Sequence, residues 1–137
     1  MGKYERGRMG KVRPDFTFED LDVWKMARDV RKNIATIVRS FPREESNKLV
    51  DQMIRSSRSV TANIAEGYGR FYFKENIQFC RQARGSLFEL IDHLTVALDE
   101  GYINNIEYIR IRNECYSLVK MLNGYIKYLR SRSNESK

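Results

Sequence analysis

The chain has 137 residues, of which 42% are hydrophobic and 12% aromatic, which is enough for one domain with a single core. Lysine and arginine outnumber acidic residues by 25 to 18, a net charge of +7 at pH 7 that favours phosphate-bearing partners. No apolar run approaches the roughly 20 residues that span a bilayer, and the first residues lack an apolar signal core, so we expect a cytoplasmic protein with no membrane partner.

The N-terminal segment is basic and shows no apolar periodicity, so we predict a disordered arm over residues 1–17. Its five cations face a single acid before Pro14 and would attract phosphate backbones by electrostatics alone. A solubilising segment without a ligand is an equal alternative. The arm cations are Lys3, Arg6, Arg8, Lys11 and Arg13.

Two segments with helical periodicity come next. The first covers about residues 20–39, where apolar residues recur in steps of three and four. The second begins at or just after Pro42, with two glutamates in its first turn. We predict that Gly67 and Gly69 end this helix in the left-handed conformation that glycine accepts.

The third predicted helix covers about residues 74–100, and its apolar arc spans about half of its circumference, wider than the roughly 100° that one core needs. Gly101 ends it, and Asn104 followed by Glu107 is typical of a capping box at the start of a fourth helix. Four long helices with short connections predict an all-α, antiparallel up-down-up-down four-helix bundle over residues 18–131. A frayed polar tail is expected over residues 132–137.

The sequence lacks the residue combinations that carry enzyme chemistry. His93 is the only histidine, so neither a Cys/His zinc site nor a di-iron site with paired Glu-x-x-His motifs can form. Cys80 and Cys115 lie on predicted core stripes, too far apart along the helix axes for a disulfide, so we expect two free, buried thiols. We therefore predict a protein that is not an enzyme, with no catalytic residue, metal or cofactor.

A polar stripe on the second helix lies opposite its apolar stripe, with small residues between, and the third helix carries small residues that match it. One interpretation is a polar ligand groove. We favour a hydrogen-bonded seam between helices or subunits, in which Glu66 pairs with Arg70 or Arg55. The predicted seam residues are Gln52, Arg55, Ser59, Asn63, Glu66, Gly67, Gly85 and Ser86.

The turn between the second and third helices is rich in aromatic residues around Arg70. Aromatic rings beside arginine can stack nucleic-acid bases, although rings at the end of a bundle more commonly plug its core. The aromatic residues are Tyr68, Phe71, Tyr72 and Phe73. With the arm cations, the predicted nucleic-acid-binding residues are Arg70, Arg81 and Arg84.

The run from Asn63 to Arg70, NIAEGYGR, resembles the signature of bacterial four-helix-bundle proteins encoded within intervening sequences of 23S rRNA genes. Other similar motifs follow in order, from Trp24-Lys25-Met26-Ala27 to Gly101-Tyr102-Ile103, and the resemblance covers about residues 18–129. The sequence departs from the pattern at Tyr72, where the family usually has a serine or threonine cap, and at Asn47-Lys48, where an aromatic-glycine pair is common.

The resemblance implies a bundle that assembles into a homopentameric ring and a family without an established reaction. Some relatives are accessory proteins of the reverse transcriptases of diversity-generating retroelements, with an inferred role in binding nucleic acid and the polymerase. We favour a non-enzymatic, oligomeric module that binds nucleic acid, RNA rather than DNA. The alternative is a protein scaffold or accessory subunit for a partner such as a reverse transcriptase, with no direct nucleic-acid role.

Overall fold

A computed structural model describes residues 15–135, which form four α-helices and no strand. The prediction of an all-α fold is therefore confirmed for this part of the chain. Short 3-10 turns at Phe18–Asp20, Val38–Ser40 and Arg43–Glu45 lie on either side of the first helix. The helices are α1 (Asp22–Ile37), α2 (Leu49–Tyr68), α3 (Phe73–Asp99) and α4 (Asn105–Glu135).

All four helices contribute their apolar stripes to one hydrophobic core. Ile34, Met53, Leu87 and Leu118, one from each helix, are completely inaccessible to solvent. Each such side chain stabilises the fold by about 1.5–3 kcal/mol relative to an exposed one. The helical spacing of the apolar residues therefore determines which face of each helix is buried in the core.

A buried polar cluster joins α3 to α4 inside this core. The Asn76 amide donates a hydrogen bond to the Tyr125 hydroxyl at 3.3 Å, and the Cys80 thiol donates to the Asn76 side-chain oxygen at 3.5 Å. Cys80 and Cys115 are free, buried thiols, as predicted. Burial raises the pKa of the Cys115 thiol to about 12, so this sulfur stays protonated and behaves as a small apolar group.

α2 begins at Leu49, whereas the sequence predicted a start at or just after Pro42. The glutamates expected in its first turn lie instead in the separate 3-10 turn Arg43–Glu45. From there, the Glu45 carboxylate accepts hydrogen bonds from the Leu49 N–H at 3.3 Å and the Tyr102 hydroxyl at 2.7 Å. Glu45 therefore caps α2 from outside the helix and connects it to the segment that follows α3.

Gly67 lies inside α2, which continues to Tyr68 and is capped by Gly69 at φ −75°. The predicted positive φ of both glycines is wrong, because Gly101 alone has a positive φ among residues 15–135. Gly67 is needed for space: a Cβ atom there would lie 2.6 Å from the Asn76 side-chain oxygen and 2.9 Å from the Phe79 Cβ. At Gly67, α2 and α3 thus lie too close together for a side chain between them.

Gly101 ends α3 as predicted, with φ 77°. The Tyr102 N–H donates to the Ala97 carbonyl at 2.9 Å and the Gly101 N–H donates to the Leu98 carbonyl at 3.0 Å. These two bonds form a Schellman motif, which satisfies carbonyls that the helix end leaves free.

α4 begins where the capping box predicted, since the Asn104 side chain accepts a hydrogen bond from the Glu107 N–H at 2.8 Å. The helix then continues to Glu135, past residue 132, where a frayed tail was expected. Ser133 is buried and lines the same cleft as Ile77 of α3. The last turns of α4 stay helical because they pack against the beginning of α3.

Candidate nucleic-acid interface

The predicted arm cations lie outside the described residues, but the last residues of the predicted arm are ordered, because Thr17 caps the turn Phe18–Asp20 and Phe16 contacts Tyr68. The carbonyl of Phe16 accepts a hydrogen bond from the Tyr68 hydroxyl at 3.5 Å, and the two rings are 6.4 Å apart. Phe16 therefore lies beside the end of α2. The residues outside the described range are Lys3, Arg6, Arg8, Lys11 and Arg13.

Arg70 is engaged by neighbouring side chains. Its guanidinium lies 2.7 Å from a Glu66 carboxylate oxygen, 4.0 Å from one of Glu75, and 4.7 Å above the centre of the Phe79 ring. Glu66 belongs to α2, whereas Glu75 and Phe79 belong to α3. Arg70 therefore braces the turn between these helices, and its charge is already partly compensated.

Arg81 and Arg84 differ in what they contact. Arg84 donates a 2.7 Å hydrogen bond to the Asn123 side-chain oxygen, which links α3 to α4. Arg81 instead lines a shallow cleft of about 250 Å³ between the beginning of α3 and the end of α4. The cleft contains two further cations and no acid. Its lining residues are Lys74, Ile77, Gln78, Arg81, Arg130, Ser133 and Asn134.

We call Lys74, Arg81, Lys127 and Arg130 the basic patch. Lys127 is exposed and lies one helical turn before Arg130, so the two are neighbours on α4. None of the four forms an ion pair with another residue in the described range. The patch therefore presents uncompensated positive charge, and Arg81 is its only member predicted from the sequence.

The distribution of charged residues along the sequence indicates this patch, whereas the periodicity of the apolar residues does not. Residues 115–134 carry four cations and no acid, whereas residues 85–109 carry five acids and no lysine or arginine. The cations are Lys120, Lys127, Arg130 and Arg132. The acids are Glu89, Asp92, Asp99, Glu100 and Glu107.

The four aromatic residues around Arg70 divide into two pairs. Tyr68 and Phe73 are partly buried and pack against the core, as the plugging interpretation expects. Phe71 and Tyr72 are 88% and 64% exposed, and their rings meet edge to face with centres 4.9 Å apart. The exposed pair contributes little to the core and directly precedes α3.

Part of the predicted seam lies between α2 and α3 of the same chain. The Ser59 and Ser86 hydroxyls are 2.9 Å apart, and the Asn63 amide donates to the Ser59 hydroxyl at 3.0 Å and to the Ser59 carbonyl at 2.9 Å. Small side chains here allow the two helices to approach and exchange hydrogen bonds. Gly67 extends the same contact towards the α2–α3 turn.

Glu66 pairs with Arg70, as predicted, whereas Gln52, Arg55 and Gly85 form no hydrogen bond or ion pair between α2 and α3 in the described range. Gln52 and Arg55 line an open polar cleft of about 400 Å³ with Glu89, and Arg55 lies 3.6 Å from Asp51. Gly85 is exposed, and a Cβ atom there would meet nothing within 4 Å. The seam is therefore tight near the α2–α3 turn and open farther from it.

The described residues lack the features of metal-binding and membrane-spanning proteins. Residues 15–135 contain no group of three or more histidine, cysteine or acidic side chains arranged to hold a metal ion. His93 lies 3.3 Å from a Glu89 carboxylate oxygen on the next turn of α3. None of the helices described has the length and apolar character required to cross a membrane.

The family model described as 23S rRNA-intervening sequence protein matches residues 19–124. The chain belongs to this family. The match includes α1, α2 and α3 and the larger part of α4. Within the basic patch, Lys74 and Arg81 lie inside the region matched to the intervening-sequence family, whereas Lys127 and Arg130 lie beyond it.

One solved structure similar to this chain is the 1.70 Å crystal structure of a protein of unknown function from the S23 ribosomal protein family of Bacteroides thetaiotaomicron. The two chains are 23% identical and superpose with a TM-score of 0.71, over 77% of this chain and 98% of the other. This similarity shows that the two chains share a fold. A search of curated proteins finds no match to this chain.

Proposed function

We propose that this chain is a non-enzymatic, oligomeric module that binds nucleic acid, RNA rather than DNA, through the basic patch and the N-terminal arm. The observation that carries the proposal is the cleft shared by Lys74, Arg81 and Arg130, which no acid lines. Like charges gathered without compensation raise the local potential and attract polyanions. RNA is the polyanion that we favour.

The proposal includes an antiparallel up-down-up-down order of the helices. Contacts of Ser59 with Ser86 and of Gly67 with Asn76 support it, because residue numbers rise along α2 as they fall along α3. The cleft between the beginning of α3 and the end of α4 supports the same relation for the second pair. In this order, Phe16, the α2–α3 turn and the basic patch belong to one end of the bundle.

Oligomerisation is the second part of the proposal. Val96, Ile106 and Ile109 are 38%, 79% and 53% exposed, and the nearby Phe88 and Tyr116 rings meet with centres 6.0 Å apart. We propose that these side chains form one continuous apolar surface, which is uncommon on monomers. We call these five residues the apolar surface. Homopentamer remains the assembly that the resemblance implies.

The apolar surface also favours one alternative function. It suits burial against another protein, so the chain is a scaffold or accessory subunit, for example of a reverse transcriptase, if the basic patch has no ligand. The two functions differ in which surface a partner covers. Mutation of the patch therefore separates them.

The test compares two exposed arginines that differ in position. Arg130→Glu reverses a charge in the basic patch, and Arg58→Glu makes the same change on α2, away from the patch. Reversal removes an attraction of about 1 kcal/mol and adds a repulsion of similar size, so RNA binding at low salt should weaken roughly tenfold or more in Arg130→Glu. Arg58→Glu should reduce binding much less.

Binding is measured by fluorescence anisotropy with single-stranded and structured RNA over a salt titration. Equal weakening by the two variants would mean that net charge alone matters and that the patch is not the site. If the wild-type protein binds neither RNA at low salt, the nucleic-acid function is wrong and the scaffold function becomes the better proposal.

A further inference from the structure

We infer that Phe71 and Tyr72 form a stacking platform for unpaired bases, so that the ligand of the proposed site is a single strand. This inference rests on the proposed function and adds the class of nucleic acid that the site selects. Bases in a duplex are already stacked on one another, and their faces are closed to a protein side chain. An aromatic platform therefore binds only bases that are unpaired.

The exposure of the two rings is the first argument. Phe71 is 88% exposed and Tyr72 64% exposed, although the adjacent Tyr68 and Phe73 are packed against the core. An exposed phenylalanine gains none of the free energy that burial provides. The fold thus does not account for two large aromatic residues at these positions.

The second argument is that the turn carrying the rings is held in place. Arg70 contacts Glu66 on one helix and Glu75 and Phe79 on the other, and its N–H donates to the Gly67 carbonyl at 3.1 Å. Immediately after the rings, α3 begins at Phe73. Because the backbone on both sides is fixed, stacking on these rings requires little additional ordering of the chain.

The third argument is the position of the rings beside the basic patch. Lys74 is two residues from Tyr72 and lines the same cleft as Arg81 and Arg130. Lys74 and Arg81 are about 10 Å apart along α3, at 1.5 Å per residue. A strand whose bases stack on the rings can therefore place successive phosphates on the patch. Aromatic platforms beside a positively charged groove are the usual design of proteins that bind single strands.

Charge argues for a nucleic acid over a second copy of the chain on this surface. A second copy that approached with the same surface would bring Lys74 and Arg130 towards their counterparts and meet repulsion. The apolar surface at Val96, Ile106 and Ile109 lies in an acidic segment instead. The rings thus lie next to the basic patch, whose charge attracts phosphate.

The experiment measures binding of a labelled oligouridylate strand and of the same strand paired with oligoadenylate. Phe71→Ala and Tyr72→Ala should each weaken binding of the single strand by about 5- to 140-fold, the equivalent of one stacked base. Binding of the duplex and the salt slope should change little. Asn47→Ala removes an exposed side chain away from both the patch and the apolar surface and is the control.

A conservative variant gives a second readout. Phe71→Trp keeps a stacking surface and should retain binding of the single strand. Its indole fluorescence should be quenched by oligouridylate and not by the duplex. The native Trp24 is only 9% exposed and gives a constant background. All substitutions are at exposed positions, so circular dichroism should show unchanged helicity.

Three outcomes would overturn the inference. If both alanine variants bind the single strand as tightly as the wild type while Arg130→Glu weakens it, the patch binds nucleic acid without a platform. If the alanine variants lower the oligomer mass, the rings belong to a subunit contact. If the wild type binds neither probe at low salt, the proposed function itself fails.

Discussion

The two ends of the α3–α4 pair differ in charge and in the kind of apolar side chain that they expose. Where α3 begins and α4 finishes, Lys74 and Arg130 line a cleft without acids, and the exposed rings of the α2–α3 turn are adjacent. Where α3 finishes and α4 begins, residues 85–109 carry five acids, and the most exposed apolar residues are the aliphatic Ile106 and Ile109.

Because of this difference, the two ends suit different partners. Phosphates are attracted to the first end and repelled by the second. Aliphatic side chains cannot stack bases but gain free energy when another protein buries them. Under the proposed function, one pair of helices therefore binds a polyanion at one end and other subunits at the other, and several patches on one assembly increase avidity.

The largest effect is expected from Gly67→Val, at the helix crossing behind the basic end. The first atom of the new side chain would lie 2.6 Å from the Asn76 oxygen and 2.9 Å from the Phe79 Cβ, so α3 must move. Overpacking of this kind destabilises a fold by about 1–3 kcal/mol or more. Denaturant unfolding should show a loss near the upper end of this range, and RNA binding should fall with it.

Gly85→Ala is the control for that variant, because Gly85 is exposed and its Cβ position is open. Alanine in a helix interior is more favourable than glycine by about 0.5–1 kcal/mol, so this variant should be slightly more stable. Equal destabilisation by the two changes would contradict the close crossing at Gly67. A lower oligomer mass for Gly85→Ala would place Gly85 in a subunit contact.

Ile106→Asp tests the acidic end of the α3–α4 pair. A carboxylate buried in a subunit contact without a partner opposes assembly strongly, so light scattering should report a mass falling towards the 16.2 kDa of one chain. Binding of a short RNA strand to each subunit should remain. Asn47→Asp introduces the same charge at an exposed position away from the apolar surface and should leave the mass unchanged.

Two results would contradict the role given to the apolar surface. A wild-type mass near 16.2 kDa at micromolar concentration would remove the oligomer from the proposal. A wild-type oligomer whose mass Ile106→Asp does not change would place the subunit contact elsewhere on the chain.

Deletion of residues 1–13 should have a smaller effect, confined to the basic end. Each phosphate that the arm neutralises on a single strand adds about 0.7 to the slope of log binding constant against log salt. The truncated protein should bind RNA more weakly and with a flatter slope, while helicity and oligomer mass stay the same. An unchanged slope would show that the arm is only a solubilising segment.

The smallest expected effect comes from the titration of Tyr102, whose hydroxyl donates a hydrogen bond to Glu45 at the acidic end of the bundle. That bond, then burial and nearby carboxylates including Glu100, raises the pKa of Tyr102 from 10.0 to about 12. Because the folded pKa is raised, the stabilisation is complete below pH 10 and is lost as the pH rises through 12. RNA binding at neutral pH should not depend on it.

Ultraviolet difference titration measures this pKa, with Tyr102→Phe as the blank for the remaining tyrosines. Glu45→Gln should return the pKa of Tyr102 most of the way towards its ordinary value, whereas Glu100→Gln should lower it only slightly, because Glu100 acts through charge alone. The same pKa in Glu45→Gln as in the wild type would mean that another group holds the phenol.

Features set by neighbours in sequence were predicted well. The four helices follow from apolar periodicity, and the ends at Gly101 and Asn104 follow from local turn and capping chemistry. The role of Gly67 was not predictable in this way, because its constraint comes from side chains of α3. A glycine required for φ and a glycine required for space look the same in one sequence.

The candidate site was only partly predictable for a related reason. Lys74 and Arg130 are separated by more than fifty residues, and the packing of α3 on α4 brings them to one cleft. Arg70 is conspicuous in the sequence, yet in the structure its positive charge is partly compensated by Glu66 and, across the turn, by Glu75. Which cations remain free is therefore decided by tertiary contacts.

The hydrogen bond between Asn76 and Tyr125 has a consequence for how these helices can align. Apolar stripes rich in leucine pack almost equally well when one helix slides by a turn, but that shift would separate the amide from the hydroxyl inside the core. A buried polar group that loses its partner costs about 1–3 kcal/mol. The pair thus selects a single register of α4 on α3, and substitutions at the two positions should accompany each other in relatives. Only in that register do Lys74 and Arg130 face the same cleft.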